Sequence, residues 1–235
     1  MITRARPWVM RMRWCDLLFM HWPVDSASIR SQIPAGLDLD LFEGRAYVAV
    51  VPFRMENVGP RGLPAPPLAG AFPELNVRTY VRHQGSPGVW FFSLDAADRV
   101  AVEGARASFH LPYYHADMAV SQGSEIVDYR SDRTDDRGGP ARFAARYRPT
   151  GPVERFEPGS FELWSTDRQR LFAMDRRGRL VRTEVRHAPW PLQPATVRIE
   201  MNTMLSAAGL VQPDEPPHVR FAARLDVRGW WPKLA

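Results

Sequence analysis

The sequence predicts an α+β fold dominated by strands, in which a large antiparallel sheet closes into a β-barrel accompanied by two or three short helices. Three observations lead there. Helical periodicity is confined to a few short segments. About ten segments rich in β-branched and aromatic residues alternate with turn-forming residues. Two of these segments, residues 45–54 (RAYVAVVPFR) and 89–94 (VWFFSL), are apolar on both faces, as in central strands covered on two sides.

The helices can be placed by their ends. Asp25 is positioned to cap a helix over residues 26–32, which Pro34 and Gly36 close. Asp98 caps a second over residues 99–109, where Val102, Ala105 and Phe109 recur on one side. A third covers residues 160–166. Further strands are expected at 74–82, 125–130, 141–148, 169–174, 180–187, 195–202 and 219–227. Residues 57–73, with five prolines, and residues 131–140 read as loops, the first long enough to serve as a lid. Neither loop splits the apolar segments into independent sets, so residues 1–235 are expected to form one domain.

Composition excludes several function classes. The formal charge is +5, yet Lys233 is the only lysine and the arginines are scattered among acids with no basic block in sequence, so no nucleic-acid partner is expected. No apolar run reaches the ~18 to 20 residues that span a bilayer, so no membrane role is expected. The basic, partly apolar N-terminus is interrupted by Arg11, Arg13 and Asp16 before it resembles an export signal, which reads as a cytoplasmic chain. Cys15 stands alone, excluding an intramolecular disulfide and a thiolate cluster. Of the six histidines only His110 and His115 are close in sequence, and not at a ligand spacing, so neither a metal nor another cofactor is expected. A homo-oligomer stays open beside a monomer.

One predicted strand carries chemistry. Alternation over residues 74–81 puts Leu75, Val77, Thr79 and Val81 on one face and Glu74, Asn76, Arg78 and Tyr80 on the other. The second face either meets solvent or lines the barrel interior. Inside a barrel, Glu74 and Arg78 would form a charge-assisted pair, Arg78 would take a carbonyl or carboxylate, and Asn76 and Tyr80 would add oriented polar groups. The segment 104–117 (GARASFHLPYYHAD) brings Arg106, Tyr113 and Tyr114 into consideration. Pro112 sets a sharp turn into the next strand, after which one tyrosine faces inward and the other outward.

At these residues the sequence resembles a known family. His21-Trp22-Pro23, Gly44-Arg45-Ala46-Tyr47 leading to Val51-Pro52-Phe53, the run from Phe72 to Val81, the run from Gly88 to Leu94, and Leu111-Pro112-Tyr113-Tyr114 are similar to the YqjF-like family. This bacterial family is uncharacterised and belongs to the acetoacetate decarboxylase-like superfamily. The segment from His187 to Leu192 is a late landmark. The resemblance implies a cone-shaped antiparallel barrel with an interior cavity, and hence an inward Glu74, Asn76 and Arg78. In the decarboxylases a Pro-Lys-Lys sequence supplies the Schiff-base lysine; the similar position here is Pro112-Tyr113-Tyr114, and the acidic position is similar to Glu74. Tyrosine cannot form an iminium, and Lys233 lies near a chain end expected to be mobile, so Schiff-base decarboxylation is not expected. The family's Thr-Glu-Arg-Tyr motif is replaced by Thr166-Asp167-Arg168-Gln169.

Three functions remain. The first is binding of a small carbonyl or carboxylate metabolite in an enclosed polar pocket. The second is lysine-independent acid/base chemistry on a small keto or hydroxy acid, of the lyase or isomerase kind, with Glu74 and Tyr113 as catalytic groups. The third is a structural or interaction role. For binding, Asn76, Arg78, Tyr80, Tyr114 and Arg106 are the candidate contacts.

Overall fold

The computed structural model describes residues 7–63, 70–123 and 126–235. Among them, thirteen strands and four short helices follow one another. β1 (Met10–Val24) leads into α1 (Ser26–Arg30) and the short β2 (Asp38–Leu39). β3 (Ala46–Pro60), β4 (Phe72–His83) and β5 (Ser86–Ala96) then form a meander. α2 (Arg99–Phe109) connects to β6 (Tyr113–Gln122), β7 (Val127–Arg133) and β8 (Arg142–Pro149). α3 (Phe161–Thr166) precedes β9 (Arg170–Met174), β10 (Leu180–His187) and β11 (Leu192–Asn202). α4 (Met204–Ala207), β12 (His218–Gly229) and β13 (Lys233–Leu234) complete the chain.

The architecture follows from one wall whose edges fork. β12, β1, β3, β4 and β5 lie side by side in that order. β12 pairs with β11 through Arg220, Phe221 and Ala222, and with β10 through Val227, Arg228 and Gly229. β5 pairs with β9 through Val89 and Trp90, and with β6 through Leu94, Asp95 and Ala96. The branch β6-β7-β8-β11 closes the wall into a nine-stranded barrel, and β9-β10 closes it again over the other face. Both pairings of β5 with its branches are parallel, and all others are antiparallel. Parallel neighbours need a crossover connection, which α2 supplies between β5 and β6.

Two large cores result, one on each face of the wall, beside a smaller cluster of Ile33, Leu37, Val81 and Phe172. Leu17, Phe19, Ala49, Val51 and Phe53 pack with Val181 and Val185 of β10. Their alternating neighbours Leu18, Met20, Val48 and Val50 pack with Tyr129, Phe143 and Tyr147 of β7 and β8. This double covering is why residues 46–53, between Arg45 and Arg54, are almost entirely apolar. The wall bends at an irregularity between Cys15 and Met20 of β1, where Asp16 has φ 54°. Pro52, with no N–H to give to a ladder, lies opposite that irregularity.

The three expected helices form, the first ending at Arg30, two residues early. Asp25 and Asp98 cap as expected, accepting from the Ala27 N–H at 3.2 Å and from Ala101 at 2.9 Å, while Ser160, expected inside the third helix, caps it by accepting from Leu163 at 3.4 Å. The differences are instructive. β1 was unmarked because Arg11, Arg13 and Asp16 break its apolar pattern, and α4 is a single turn. Ser131–Pro140 is not all loop, since Ser131 to Arg133 continue β7. The expected loop at 57–73 is strand at both ends, and its centre, residues 64–69, lies outside the described residues. The expected lid falls there too. The chain end is tied rather than loose: β13 pairs with β10, and Lys233 Nζ lies 2.7 Å from Glu184. No helix among the described residues is long and apolar enough to cross a membrane.

One ion pair fastens the β6-β7-β8-β11 branch to the wall. Arg133 of β7 grips Asp95 of β5 with two hydrogen bonds, at 2.8 and 2.6 Å, and Asp95 is fully buried. Burial alone would push the Asp95 carboxyl up, and the guanidinium opposes that shift. Removing one member of such a pair strands the other without water. Arg133→Ala is therefore expected to lower unfolding free energy by about 3–5 kcal/mol in urea denaturation. The double change Asp95→Leu with Arg133→Met should cost clearly less than Arg133→Ala alone.

Candidate functional site

The alternation of β4 between two buried faces decides where its polar residues go. Leu75 and Val77 enter the core shared with β7 and β8, so Glu74, Asn76 and Arg78 must point to the opposite side. There they border a cavity of about 340 Å³ between the wall, α2, β10 and Trp190. Most of its surface is apolar, from Met12, Val51, Phe53, Phe91, Leu94 and Val185 among others. The expectation of a polar pocket is corrected accordingly: the wall strands are chiefly apolar on this face too, and polar groups are concentrated on a few positions. Besides the β4 trio these are Tyr113 of β6, Ser108 of α2, Thr166 at the end of α3, Arg168 just after it, and Thr183 and His187 of β10.

Glu74 is 2% exposed, and burial raises its carboxyl from the ordinary 4.5 to about 8. The Tyr113 hydroxyl donates to its Oε2 at 3.0 Å, which works against that rise, while the charge of Asp95 adds to it. The same burial and the neighbouring carboxylate hold the Tyr113 phenol well above its usual range. At neutral pH the pair is thus a carboxylic acid and a phenol, both uncharged. The anticipated Glu74–Arg78 ion pair does not form; no carboxylate among the described residues lies within 4 Å of Arg78. Glu74 is turned instead to Tyr113, and its backbone carbonyl accepts from the Tyr129 hydroxyl at 2.7 Å.

Arg78 is therefore a half-buried cation without a counter-charge. Its guanidinium lies 5.3 Å from the Phe19 ring and donates to Tyr80 Oη at 3.4 Å, and its Nε has no partner. Asn76, 5% exposed, is equally unengaged: its buried Oδ1 has no hydrogen-bond partner. β5 carries the extra residue Phe92 at this level, the kind of bulge that re-aims side chains beside a site.

Tyr80 does not reach the cavity. It is fully buried beneath Arg78, with its hydroxyl 2.5 Å from His21 Nε2 and its ring 4.6 Å from Trp164. Burial and the nearby Arg78 push His21 well down, so the imidazole shares this hydrogen bond with Tyr80 in its neutral form. Tyr114 points away from Tyr113, as neighbours on a strand must, and covers the Arg133 guanidinium at 4.3 Å. Arg106 lies outside the cavity as well; it donates to the Tyr113 carbonyl at 2.6 Å and so ties α2 to β6. Of the seven candidates, Glu74, Asn76, Arg78 and Tyr113 come together, whereas Tyr80, Tyr114 and Arg106 support the walls.

Sequence reasoning did not find Arg168, His187 or Thr183 on the cavity. Arg168 contrasts with Arg78: it is buried, ion-paired to Asp40, and donates to the Trp164 carbonyl at 2.5 Å. Its signal was its place in the Thr166-Asp167-Arg168-Gln169 segment. His187 holds its ring by a 2.8 Å hydrogen bond to the Ala188 carbonyl and is lowered by burial. Lys233 does not line the cavity, and Cys15 is buried with its thiol pushed up to about 12. Among the described residues no three His, Cys, Asp or Glu side chains are grouped to hold a metal ion.

Comparison with known proteins identifies the family and the fold. The family model of DUF2071, an uncharacterized conserved protein, matches residues 11–226. The uncharacterized protein YqjF of Bacillus subtilis is 44% identical over 223 residues, covering 95% of this chain and 91% of the relative. In structure, acetoacetate decarboxylase from Legionella pneumophila superposes with a TM-score of 0.69 at 12% identity, over 99% of this chain and 90% of the other. The enduracididine biosynthesis enzyme MppR complexed with pyruvate gives 0.68 at 12% identity, over 98% and 91%. An acetoacetate decarboxylase-like enzyme from Sphingomonas wittichii gives 0.65 at 13% identity, over 98% and 94%. The chain belongs to the DUF2071 family of YqjF-like proteins and has the acetoacetate decarboxylase-like fold.

Proposed function

We propose that this protein binds a small amphipathic carboxylate or carbonyl compound in the cavity, with the polar head on Arg78 and Asn76 and the apolar body against Phe53, Phe91 and Leu94. The observation that carries this reading is Arg78. A guanidinium inside an apolar cavity, without a carboxylate, is costly unless something anionic meets it. Because Glu74 is held as a neutral acid, it does not compete for that role and can itself donate to a carbonyl or carboxylate oxygen. An amine-based reaction is not part of the proposal, since the one lysine is paired with Glu184 outside the cavity. We place this activity in the cytoplasm, in line with a single, buried cysteine.

A second reading is supported by the Glu74–Tyr113 pair. A carboxyl group whose pKa is raised to about 8 is suited to exchange a proton with a bound keto or hydroxy acid near neutral pH. Turnover distinguishes this reading from simple binding.

A thermal-shift panel of pyruvate, 4-methyl-2-oxopentanoate, phenylpyruvate and octanoate tests the proposal, with the products followed by proton NMR. Pyruvate is included because MppR of the same fold is known in complex with it. A ligand at a hundredfold excess over Kd stabilises the native state by about 2.7 kcal/mol. The acids with apolar bodies are expected to shift Tm, Arg78→Ala to lose the shift, and Tyr80→Phe only to weaken it. Equal shifts in all three proteins would contradict the assignment.

Glu74 makes a prediction that needs no ligand. Its folded pKa, about 8, lies above its unfolded value near 4.5, so between these the native state keeps a proton that the unfolded state releases. Its contribution is intact below pH 4.5 and is lost as pH rises toward 8, with a slope approaching about 1.4 kcal/mol per pH unit. Urea denaturation from pH 5 to 8 should show this fall in the natural protein and a flatter profile in Glu74→Gln.

A further inference from the structure

The outer face of the sheet, away from the cavity, gathers charge that is dispersed in the sequence. In the register of β1, β12 and β10, Arg11 is paired with Arg228, and Arg228 with Arg186. Three arginines thus form one row across three adjacent strands, although they are far apart along the chain. Like charges placed directly opposite each other destabilise a sheet. None of the three has a carboxylate within 4 Å among the described residues.

The row lies in a concave site rather than on a flat face. Trp8, Arg11, Arg13, Asn57, Arg186, Asp226 and Arg228 border a cleft of about 580 Å³. Its one acid, Asp226, is already engaged by Arg13 at 2.8 Å. The cations are braced by neutral groups. Arg11 donates to Asn57 Oδ1 at 3.4 Å and to the carbonyls of Pro60 and Leu63 at 3.3 and 2.8 Å. Arg228 lies 5.5 Å from the Trp8 ring and Arg186 5.4 Å from the Trp230 ring. Asn57 adopts φ 52° where β3 bulges against β1 between Arg11 and Arg13, and this bulge brings its amide toward Arg11.

We propose that this cleft, which shares only Met12 and His187 with the border of the barrel cavity, is a second binding site for a compact multivalent anion of the phosphate-ester or polycarboxylate type. Two strand spacings give the row a length of about 10 Å, the scale of a diphosphate or tricarboxylate rather than of a nucleic-acid backbone. Arginine forks recognise either kind of oxyanion in bidentate geometry. Occupancy relieves the repulsion that the register imposes on Arg11, Arg228 and Arg186.

Isothermal titration calorimetry of the full chain near physiological salt tests this with pyrophosphate and, separately, citrate. Saturable binding of either is expected, weakening as salt rises. Pyrophosphate alone would identify phosphate chemistry, and citrate alone polycarboxylate chemistry. Arg186→Ala and Arg228→Ala should each weaken binding about tenfold or more. Arg198→Ala, an exposed charge on β11, and Arg78→Ala, in the inner cavity, should leave it unchanged. Without ligand, Arg186→Ala and Arg228→Ala should melt at or above the natural Tm, because repulsion is relieved. No saturable binding of either anion, equal weakening by Arg198→Ala, or tighter binding of a single-stranded oligonucleotide than of both anions would overturn the proposal.

Discussion

A β-sheet buried on both faces leaves its side chains no route to bulk water, and the central part of the wall β12-β1-β3-β4-β5 is such a sheet. Every polar residue on it must find a partner inside or face an internal space. Asp95 finds Arg133, and Tyr80 finds His21. Glu74 finds Tyr113 and gives up its charge at neutral pH. Asn76 Oδ1 and Arg78 Nε find nothing. Asn76 and Arg78, whose Oδ1 and Nε are among the polar atoms that the wall buries without a partner, both line the cavity.

Part of this was legible in the sequence because it is local. The alternation in residues 74–81 separates Leu75 and Val77 from Glu74, Asn76 and Arg78 by geometry alone, whatever the fold. The opposition of Tyr113 and Tyr114 follows from the same rule. Helix caps at Asp25 and Asp98 are read within a few residues. The strand pattern suggested the barrel, and resemblance to a known family added an interior cavity, which turned an ambiguous polar face into an inward one.

What was not legible depends on contacts between distant segments. Tyr80 shares the parity of Arg78, yet it lies where α3 covers the wall, so Trp164 and His21 bury it instead of leaving it on the cavity. Arg168 is on the cavity because α3 ends there, which no period in the sequence marks. The row of Arg11, Arg228 and Arg186 exists only in the register of three strands. β1 was hidden because its outward arginines and the Asp16 bulge interrupt the apolar alternation that identifies a strand.

The central claim is that the cavity joins a neutral Glu74 to an unpaired Arg78 cation. Infrared difference spectroscopy of the natural protein against Glu74→Gln measures the first half directly, through the carbonyl stretch of a protonated carboxyl group. The account predicts a Glu74 acid band at pH 7 that disappears as pH passes through about 8. A band already absent at pH 6 would mean an ionised Glu74, available to neutralise Arg78, and would contradict it.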